Sequence, residues 1–562
     1  MEEIYDIVII GGGTNSLSIA SYLGKCGLSV CICEARPECG GGVENTEPIP
    51  DVRIDPHATY LYGGAAPAFE QLELHKFGFR MVYYKNQVGG VLSDGTGFSF
   101  GQHDMDATLK CVRKFSEKDA SLAEMLSSLI WENRPATVKL LRSIYWTPPP
   151  PPHVQLQKED FPWSKVLNEM LPGIYDPSWN DMSTMELMDL LWDSEPVKVL
   201  QEMGAWFNGP YPEWKGTAIQ GLTCNLLMTY SNGCPRGGMH SLAHALVRCA
   251  MHHGARIYTN SRVEEIIVED GEAKGVILDN FTTAKTKKIL ARKAVLSNIH
   301  VQPTFLDLIP SSALENDFLK RIGALRLHGG NFFVLSLVTS EMPEFIGDAN
   351  ETFANGRWPS SILMNIDSRE AMLNMGRICY EENTHPVNQE DMILSVSTHS
   401  LYDKTHRPVD GRYVISPIYL QLPPPEYHKD GPTAVNDAKD EIVDAMLTKI
   451  RSVAPNLTDD KIVAKFVNTP YDSSLRNMAF VGGGWMGLSQ SSDQWYDKRP
   501  LPELARYRTP VKNLYLCHQC SYPGGLALQA VSYNLMHILI EDLNLEPGDW
   551  WYPSEFFIPS DA

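Results

Sequence analysis

The sequence has no apolar run long enough to cross a membrane. No stretch reaches the roughly 18 consecutive apolar residues that a spanning helix needs. The segment from Met1 to Asp6 carries no basic residue, and the apolar run from Ile7 to Ile10 is too short for the hydrophobic region of a signal peptide. These absences predict a soluble, cytoplasmic protein. Peripheral contact with a membrane and oligomerisation both stay open.

Basic residues are also scarce for a chain of this size. The 562 residues include 48 lysines and arginines against 68 acidic residues, which gives a formal net charge of −20. A surface this acidic repels phosphate backbones, so nucleic acid is not an expected partner. With 43% hydrophobic and 21% charged residues, the composition is typical of a globular enzyme.

The motifs of metalloenzymes and hydrolases are missing as well. The eleven cysteines are odd in number and scattered, which suits reduced thiols better than a disulfide framework. The segment Cys517-His518-Gln519-Cys520 has a redox or zinc spacing, but no second pair lies near it in sequence. No HExxH motif, EF-hand loop or Ser–His–Asp pattern is found. The sequence therefore predicts no metal site.

The N-terminus carries the order strand, glycine turn, helix, strand, acid. The apolar run Asp6 to Ile10 is typical of a buried parallel strand, and Gly11-Gly12-Gly13 follows it directly. Thr14 to Lys25 has a helical apolar period, and a second strand is expected from Leu28 to Cys33. Glu34 closes the unit. This βαβ context predicts a dinucleotide-binding turn.

Each residue of the turn has a physical task. Gly11 permits the tight bend, and Gly13 lets the backbone approach a pyrophosphate at the helix N-terminus. Glu34 lies where a carboxylate accepts hydrogen bonds from an adenosine ribose. The third glycine of the motif is Ser16, a small residue at a helix-packing position. A second glycine cluster, Gly482 to Gly487, is followed by no helical period, so it is interpreted as a loop.

Three further segments extend this interpretation to FAD. Glycines follow the acid in Glu34 to Gly42, a Gly-Cys-Pro-Arg-Gly-Gly run precedes the helix His240–His253, and Pro523-Gly524-Gly525 precedes a helix expected from Leu526 to Leu543. In their order along the chain these motifs resemble the phytoene desaturase family of FAD-dependent carotenoid oxidoreductases. The resemblance covers about half of the sequence and carries little information about the substrate.

The resemblance implies a set of cofactor contacts. Gly11, Gly13 and Glu34 would bind the ADP moiety, and Arg36, Gly40 and Gly41 would lie along the diphosphate and ribityl chain. Val263 would hold the adenine through its backbone, and Ser297 with Asn298 would close that lobe. Gly524 and Gly525 would place a helix N-terminus beneath the N1/O2 edge of the flavin. The remaining residues of the predicted cofactor set are Thr14, Asn15, Ser16, Ala35, Gly42 and Leu526.

Two positions depart from the family. His518 and Ser532 stand where the family usually has glycine. Because ligands gather at the carboxyl ends of strands, His518 is expected to face the cofactor. It is a candidate general base or a group that stabilises charge on reduced flavin; the alternative is that it only binds the diphosphate or fills the space of the glycine. His57 is a weaker candidate for the same catalytic role.

The order of the motifs predicts the domain organisation. The fold class is α/β, with a discontinuous Rossmann-type FAD-binding domain and a mixed α+β substrate domain. The FAD-binding parts are residues 1–75, 226–302 and 501–545, and residues 546–562 form a C-terminal tail. A largely helical insertion is expected at 76–225 and a sheet-containing substrate part at 303–500. The proline run Pro148–Pro152 is interpreted as a stiff internal connector.

The expected function is that of an FAD-dependent oxidase or dehydrogenase. It would transfer hydride to flavin from a hydrophobic small molecule, conjugated or aromatic, and pass electrons to O2 or a quinone. A saturase-like reductase or isomerase acting on a polyene or isoprenoid is the alternative within enzymes. A protein that keeps FAD for structure and only mediates an interaction is the alternative of another class.

Overall fold

The computed structural model describes residues 3–101, 104–280, 285–526 and 529–561. Two large sheets organise this part of the chain. The strands, in chain order, are β1 (Glu3–Ile10), β2 (Val30–Cys33), β3 (Thr46–Ile49), β4 (Val52–Ile54), β5 (Leu61–Tyr62), β6 (Met81–Tyr83), β7 (Asn86–Val91), β8 (Gly97–Gly101), β9 (Asn232–Pro235), β10 (Arg256–Tyr258), β11 (Ser261–Glu269), β12 (Glu272–Asn280), β13 (Lys285–Ser297), β14 (Phe332–Thr339), β15 (Ser361–Met364), β16 (Leu394–Ser397), β17 (Tyr413–Gln421), β18 (Ile462–Asn468) and β19 (Leu514–Leu516).

Helices pack on and between these sheets. In chain order they are α1 (Thr14–Lys25), α2 (Pro67–Gln71), α3 (Met105–Arg113), α4 (Glu117–Glu132), α5 (Arg134–Tyr145), α6 (Pro162–Met170), α7 (Thr184–Leu191), α8 (Glu195–Phe207), α9 (Ala218–Ser231), α10 (His240–His252), α11 (Val301–Leu306), α12 (Asn316–Gly323), α13 (Ala349–Phe353), α14 (Glu370–Gly376), α15 (Ala434–Asp437), α16 (Lys439–Val453), α17 (Pro470–Arg476) and α18 (Ala530–Leu543).

The first sheet has a parallel Rossmann-like core. Its strand order is β10-β2-β1-β13-β12-β11, and β19 also pairs with β13. The pairings β10–β2, β2–β1, β1–β13 and β13–β19 are parallel, whereas β11, β12 and β13 form an antiparallel meander. Strands from all three predicted pieces of the nucleotide lobe therefore lie in one sheet. The boundaries proposed between lobes stay a prediction.

The central strands are apolar because both of their faces are covered. Ile7 and Ile9 face the core that contains α1, α10 and α18, whereas Val8 and Ile10 face the core that contains α11 and α12. None of these four side chains is more than 3% exposed. The run that sequence analysis interpreted as a buried parallel strand is one, and α1 has the bounds expected for it.

The second sheet is mixed, with the order β18-β14-β17-β16-β15-β7-β8. Here β15 pairs with β7 in parallel over Ser361–Met364 and Val88–Val91, and the other pairings are antiparallel. The fold class predicted from the sequence is confirmed. The insertion at 76–225 carries the helices α3–α8 and the first half of α9, but it also supplies β7 and β8 to this sheet, which its helical pattern concealed.

Two predicted element starts were wrong. The second strand begins at Val30 and not at Leu28. The last helix begins at Ala530 and not at Leu526, because Leu526 has φ +75° and Gln529 has φ +51°, a left-handed backbone that no α-helix contains. Residues 527 and 528, which the predicted helix also included, lie outside the described residues.

The proline run and four tryptophans of the helical insertion are structural. Pro148 to Pro151 are buried, and the carbonyl of Pro149 accepts a hydrogen bond from Arg506 Nη1 at 2.9 Å. The connector is therefore internal. Trp146, Trp163, Trp179 and Trp192 belong to one hydrophobic core with α5, α6 and α7, and none of them lines the cavity described below.

Two absences hold for the described part of the chain. No helix there has the length and apolar character needed to cross a bilayer. No three of its histidine, cysteine and acidic side chains are grouped so that they could bind a metal ion.

His537 connects the C-terminal segment to α18. Its Nδ1 lies 3.0 Å from the Tyr533 carbonyl oxygen, and its Nε2 accepts a hydrogen bond from the Ser554 amide at 2.9 Å. Burial lowers the pKa of His537 to about 3. An unfolded chain binds a proton at about pH 6.5. The contribution of neutral His537 to the stability of the folded state is therefore complete above about pH 6.5. Below that pH the free energy of unfolding falls by about 1.4 kcal/mol per pH unit until the pH reaches about 3.

We expect the melting temperature of the holoprotein to fall less between about pH 7 and about pH 5 in His537→Gln than in the natural chain, because the variant lacks this proton uptake on unfolding. Thermal melts in matched buffers measure the difference. The exposed His75 provides the control, His75→Gln, which should keep the natural pH dependence. An identical pH dependence in His537→Gln and the natural chain would contradict the assignment.

Candidate active site

A cavity of about 520 Å³ opens where the parallel strands end. Its wall includes the segments that follow β1, β2, β13 and β19, namely 10–15, 33–36, 298–299 and 518–519. In open α/β sheets, ligands bind outside the carboxyl ends of the strands. From there the cavity continues to the second sheet, where Ser361 and Leu363 of β15 and Phe332 of β14 line it.

The glycine turn forms one end of this cavity. Gly11 has φ +85°, and a Cβ atom there would lie 3.0 Å from the carbonyl oxygen of Asn298. Gly13 is the N-cap of α1 and provides no side-chain cap, so the first amides of the helix have no side-chain acceptor at the cap. Thr14 and Asn15 line the cavity beside them. Helix termini of this kind bind anions, and the contact with a pyrophosphate stays a prediction.

Glu34 lies against this turn. Its Oε2 accepts a hydrogen bond from the Gly12 amide at 2.5 Å, and its Oε1 accepts one from the Arg36 amide at 2.7 Å. Burial raises the pKa of Glu34, and the two backbone donors oppose the rise. Ala35, Arg262 and Val263 line the same part of the cavity. The Ser261 amide donates to the Glu34 carbonyl at 2.8 Å, so the strand that carries Val263 begins beside Glu34, and their shared contact with one nucleoside stays a prediction.

Glycines also shape the middle of the cavity. Gly40 bridges to Gly13 in parallel fashion and has φ +141°. A Cβ atom on Gly41, which has φ +59°, would lie 3.1 Å from Gly13 Cα. Gly42 packs under the ring of Phe480. Side chains at these positions would narrow the passage between the nucleotide end and the remainder of the cavity.

The buried carboxylate Glu44, which sequence analysis missed, organises the charges beside this passage. It lies 2.7 Å from Arg36 Nη2, 2.9 Å from His57 Nδ1 and 3.9 Å from Arg476 Nε. Burial alone would raise the pKa of Glu44, but His57 and Arg36 outweigh it and hold the pKa at about 2. Two arginines around one carboxylate leave a positive balance, which suits a diphosphate.

His57 lines the cavity, as expected of a catalytic candidate, but it is almost completely buried. Its ring packs edge-on against Phe480 and Trp485. Burial lowers its pKa, and the Glu44 carboxylate opposes this effect. The geometry gives His57 a positioning role between Glu44 and the aromatic wall, whereas its catalytic role stays a prediction.

His518 follows β19 and lines the cavity, as predicted. Its Nδ1 accepts a hydrogen bond from the Cys520 amide at 3.3 Å and lies 3.1 Å from Cys520 Sγ. The ring proton is therefore on Nε2, so this nitrogen is a donor. Burial, together with His300 and Arg499 nearby, lowers the pKa of His518 well below 6.5. The side chain is a neutral imidazole at physiological pH.

Gly524, Gly525 and Leu526 line the cavity near His518, as predicted. The helix α18 starts at Ala530, five residues past Gly525, and both Ala530 and its N-cap, Gln529, line the same cavity. The helix N-terminus therefore borders the cavity, and its place beneath the flavin edge stays a prediction. Gly524 has φ +103°, and a Cβ atom on Gly525 would lie 2.8 Å from Met486 Sδ. These glycines provide space for a flat group.

Two predicted cofactor residues do not line the cavity. Ser16 is buried, and its Oγ donates to the Gly11 carbonyl at 2.6 Å, so it supports the turn from behind. Ser297 pairs with Ile10 and Leu516 in the sheet, and its Oγ lies 2.7 Å from Thr304 Oγ1. Asn298, one residue later, does line the cavity, because the strand has ended there.

The far end of the cavity was largely missed from the sequence. It is bounded by aromatic and aliphatic side chains that lie far apart in the chain, namely Tyr60, Tyr62, Val88, Phe207, Met228, Phe332, Leu363, Tyr419, Trp485 and Met486. Trp485 and Met486 belong to the glycine cluster 482–487, which is a loop, as interpreted from the sequence. The tryptophan within that glycine cluster was the sequence signal that could have indicated an apolar cavity wall.

The cavity as a whole fits FAD. One end has the uncapped helix terminus and the acidic residue that an adenosine diphosphate needs. The middle is kept narrow by glycines, and the other end offers space beside Gly524, Gly525 and His518 for a flat ring system. The donor set and the shape are those of an extended dinucleotide site with an apolar chamber beyond it.

Comparison with known families supports this assignment. A Rossmann-like NAD(P)-binding domain model matches residues 9–72, and an FAD-binding domain model matches residues 194–300. The pyridine nucleotide-disulfide oxidoreductase domain-containing protein 2 of Rattus norvegicus is 25% identical, covering 96% of this chain and 94% of its own length. One of the subunits of limonene dehydrogenase from Castellaniella defragrans is 22% identical, covering 97% and 96%.

Two further matches complete the comparison. The zeta-carotene-forming phytoene desaturase of Myxococcus xanthus is 24% identical over 54% of this chain and 51% of its own. The fold is shared with an oxidoreductase from Methanosarcina mazei, with a TM-score of 0.58 at 15% identity, covering 95% of this chain and 99% of that one. The predicted resemblance, the FAD cofactor and the assignment to oxidoreductases are confirmed.

We expect Gly13→Val to purify without FAD. A Cβ atom at this position would lie 2.8 Å from the side-chain amide of Asn298, and the branches of valine would occupy the space that the pyrophosphate needs. The ratio of flavin absorbance to protein absorbance measures the loss. The matched control is Gly323→Ala on α12, where a Cβ atom has no neighbour within 4 Å, and it should bind FAD fully. Full flavin content in a folded Gly13→Val would contradict the site.

Proposed function

We propose that this FAD-dependent oxidoreductase removes hydride from a hydrophobic small molecule, conjugated or aromatic, that binds in the aromatic chamber beyond Gly524 and Gly525. The observation that carries the proposal is the character of this chamber. Phe207, Phe332, Tyr419 and Trp485 form one connected aromatic group, with ring centroids 4.8–6.5 Å apart. Walls of this kind bind apolar ligands.

The hydroxyl groups of the chamber are engaged with the protein. The Tyr62 hydroxyl donates to Asn208 Oδ1 at 2.8 Å, and the Tyr419 hydroxyl donates to the His57 carbonyl at 2.8 Å. Ser361 and Ser395 pair with each other at 2.7 Å. Because these polar atoms already have partners, the surface left to a ligand is mainly that of rings and methyl groups. A charged substrate would have no counter-ion there.

The charged lining residues gather at the other end. Glu34, Arg36, Arg262 and Asp307 lie with the strand ends and glycines of the nucleotide site, and Arg476 lies with Glu44. This segregation matches a cofactor whose phosphates need charge and a substrate that does not. The exclusion of water from an apolar chamber also protects a reactive bond from side reactions.

Flavin, when bound, supplies a ring that accepts two electrons as hydride, so the protein needs no nucleophile or metal of its own. The residues of this chain orient the reactants. The aromatic wall aligns the substrate, and His518, which lines the cavity, carries its ring hydrogen on Nε2. A hydrogen bond from this neutral imidazole can hold a substrate oxygen or a flavin atom that becomes negative. This donor role is favoured over the general-base alternative, because Nδ1 already accepts from Cys520.

The names of the relatives agree with this substrate class. One similar protein is described as belonging to a limonene dehydrogenase and another as a phytoene desaturase, and both names denote removal of hydrogen from a hydrocarbon. We extend that chemistry to this chain as a proposal, in the direction of substrate oxidation. O2 or a quinone would then reoxidise the flavin. The experiment is anaerobic mixing of the holoprotein with a panel of terpenes, polyenes and arylalkanes, followed by flavin absorbance.

Bleaching of the flavin by a member of the panel supports oxidation. Bleaching by NAD(P)H instead, with reoxidation by a polyene, would overturn the proposed direction in favour of the reductase. The electron acceptor is then identified by returning either O2 or a soluble quinone to the reduced protein.

We expect a charge in the chamber to weaken substrate binding and leave FAD in place. Phe207 packs on Phe332 and Tyr419, with ring centroids 5.7 and 6.5 Å away. Phe207→Glu should raise the KM for an apolar substrate at least tenfold, because a carboxylate there either stays charged next to the ligand or holds water. Phe207→Leu is the matched control and should change KM only slightly. Equal KM values in the two variants would contradict the location of the chamber.

The two roles open to His518 differ in how they respond to substitution. A general base contributes about 100-fold or more, and no amide can replace it. A hydrogen-bond donor contributes less, and the glutamine amide can supply the same N–H. We expect His518→Ala to keep FAD and slow anaerobic flavin reduction by about tenfold, and His518→Gln to recover most of the rate. A loss of about 100-fold in both variants would establish the base instead.

A further inference from the structure

We propose that Arg499 is the buried cation that stabilises reduced FAD and so raises its reduction potential. The proposal rests on FAD placing its flavin beside Gly524 and Gly525, as inferred above. Arg499 acts on the flavin through the protein interior and is a positioning residue, since it does not itself line the cavity.

Arg499 is completely buried, with a relative exposure of 0%. Its Nη1 donates to the carbonyl oxygens of Ser489 at 2.7 Å and Gln494 at 3.0 Å. Its Nη2 donates to the carbonyl oxygens of Met486 at 2.8 Å and Gln519 at 3.1 Å. The Nε hydrogen has no acceptor among the described residues. Every one of these partners is neutral.

No carboxylate of the described residues lies within 4 Å of the guanidinium nitrogens, in contrast to the other deeply buried arginine, Arg506, which has Glu541 at 3.6 Å. The two nearby imidazoles provide no compensation. Burial lowers the pKa of His300 to about 4 and that of His518 well below 6.5, and the charge of Arg499 lowers both further. A buried charge without a counter-ion lowers the stability of the fold. We therefore infer that the electrostatic field of Arg499 serves a function.

The field of Arg499 acts on the flavin end of the cavity. A Cβ atom built on Gly524 would lie 3.3 Å from Arg499 Nη2 and 3.5 Å from Cζ. Gly524 lines the cavity, and so do Met486 and Gln519, whose carbonyl groups accept from the same Nη2. One layer of backbone therefore separates the guanidinium group from the space assigned to the flavin. At that depth the effective dielectric constant is low and the charge is poorly screened.

The chemistry of the flavin explains why a cation is useful there. FAD, when bound, would accept hydride at N5 from a C–H bond of the substrate, and the substrate cation left behind would release a proton to solvent as the oxidised product forms. The reduced flavin would then carry one negative charge, spread over N1 and the C2 carbonyl oxygen. A fixed positive charge nearby lowers the free energy of this product and leaves the neutral oxidised ring almost unaffected. The N-terminus of α18, whose N-cap Gln529 and first residue Ala530 line the cavity, carries only a partial positive charge, and Arg499 adds a full one.

The test is the midpoint potential of bound FAD, measured by reductive titration against reference dyes. Arg499→Gln should lower the ratio of reduced to oxidised flavin at least tenfold at a fixed potential, which equals a shift of about 30 mV for a two-electron couple. Arg499→Lys keeps the charge and should retain most of the natural potential. Arg506→Gln removes the other deeply buried arginine, which donates to the carbonyl groups of Pro149 and Ile558 away from the cavity wall and has Glu541 as a partner, and it should leave the potential unchanged.

The outcomes separate this inference from the proposed function. If Arg499→Gln binds FAD at the natural potential, the inference is wrong while FAD chemistry stands. If the midpoint potential of Arg499→Lys is lowered as far as that of Arg499→Gln, the effect comes from the hydrogen bonds to the loop and not from the charge. That result would also overturn the inference. Should Arg499→Gln fail to fold, the absorbance spectrum of the reduced natural holoprotein provides the test. In mildly acidic buffer it should remain that of flavin with an anionic N1. A spectrum of N1-protonated reduced flavin there would contradict the cation.

Discussion

The pairing of β13 with β1 is the interaction on which the remaining structure depends. Residues Ala294–Ser297 run parallel to Ile7–Ile10, while the other end of the same strand pairs with β12 and its last three residues also pair with β19. One strand thus joins two distant pieces of chain, β1 and β19, to the meander of which it is part. Where it ends, the Asn298 amide donates to Ile10 O at 2.9 Å, and the Cys517 amide donates to Ser297 O at 2.7 Å. These bonds place the glycine turn, Asn298 and His518 around one opening.

Local sequence was informative where local geometry decides the structure. The strand, turn and helix from Asp6 to Lys25 lie within one short segment, and the apolar run of Ile7 to Ile10 identifies the element without knowledge of its neighbours. Glu34 follows from its position at the end of β2. His518 could be predicted to line the cavity because strand ends in this fold class converge on the ligand. Its tautomer could not, since that depends on the Cys520 amide.

The parts that sequence missed depend on pairing across long distances. Val88 and Leu363 line the same chamber only because β7 and β15 pair in parallel. The two residues are 275 positions apart in the sequence. Glu44 carries no motif, and its role emerges from the meeting of Arg36, His57 and Arg476. The predicted start of α18 was wrong because leucine has a high helix propensity, whereas the backbone of Leu526 has φ +75°. In each case tertiary context overrides local preference.

The distribution of charge along the cavity connects these observations. Carboxylates occur at the nucleotide end, where Glu34 and Glu44 have donors, and neutral imidazoles and aromatic rings occupy the flavin end. Arg499 lies behind that end without a carboxylate partner among the described residues. A site with this gradient favours phosphate at one end and, at the other, a reaction that creates negative charge on the cofactor from an uncharged substrate. Hydride transfer from an apolar molecule to flavin is such a reaction. The same gradient disfavours a charged substrate, because the chamber offers it no partner and the guanidinium field is already directed at the flavin.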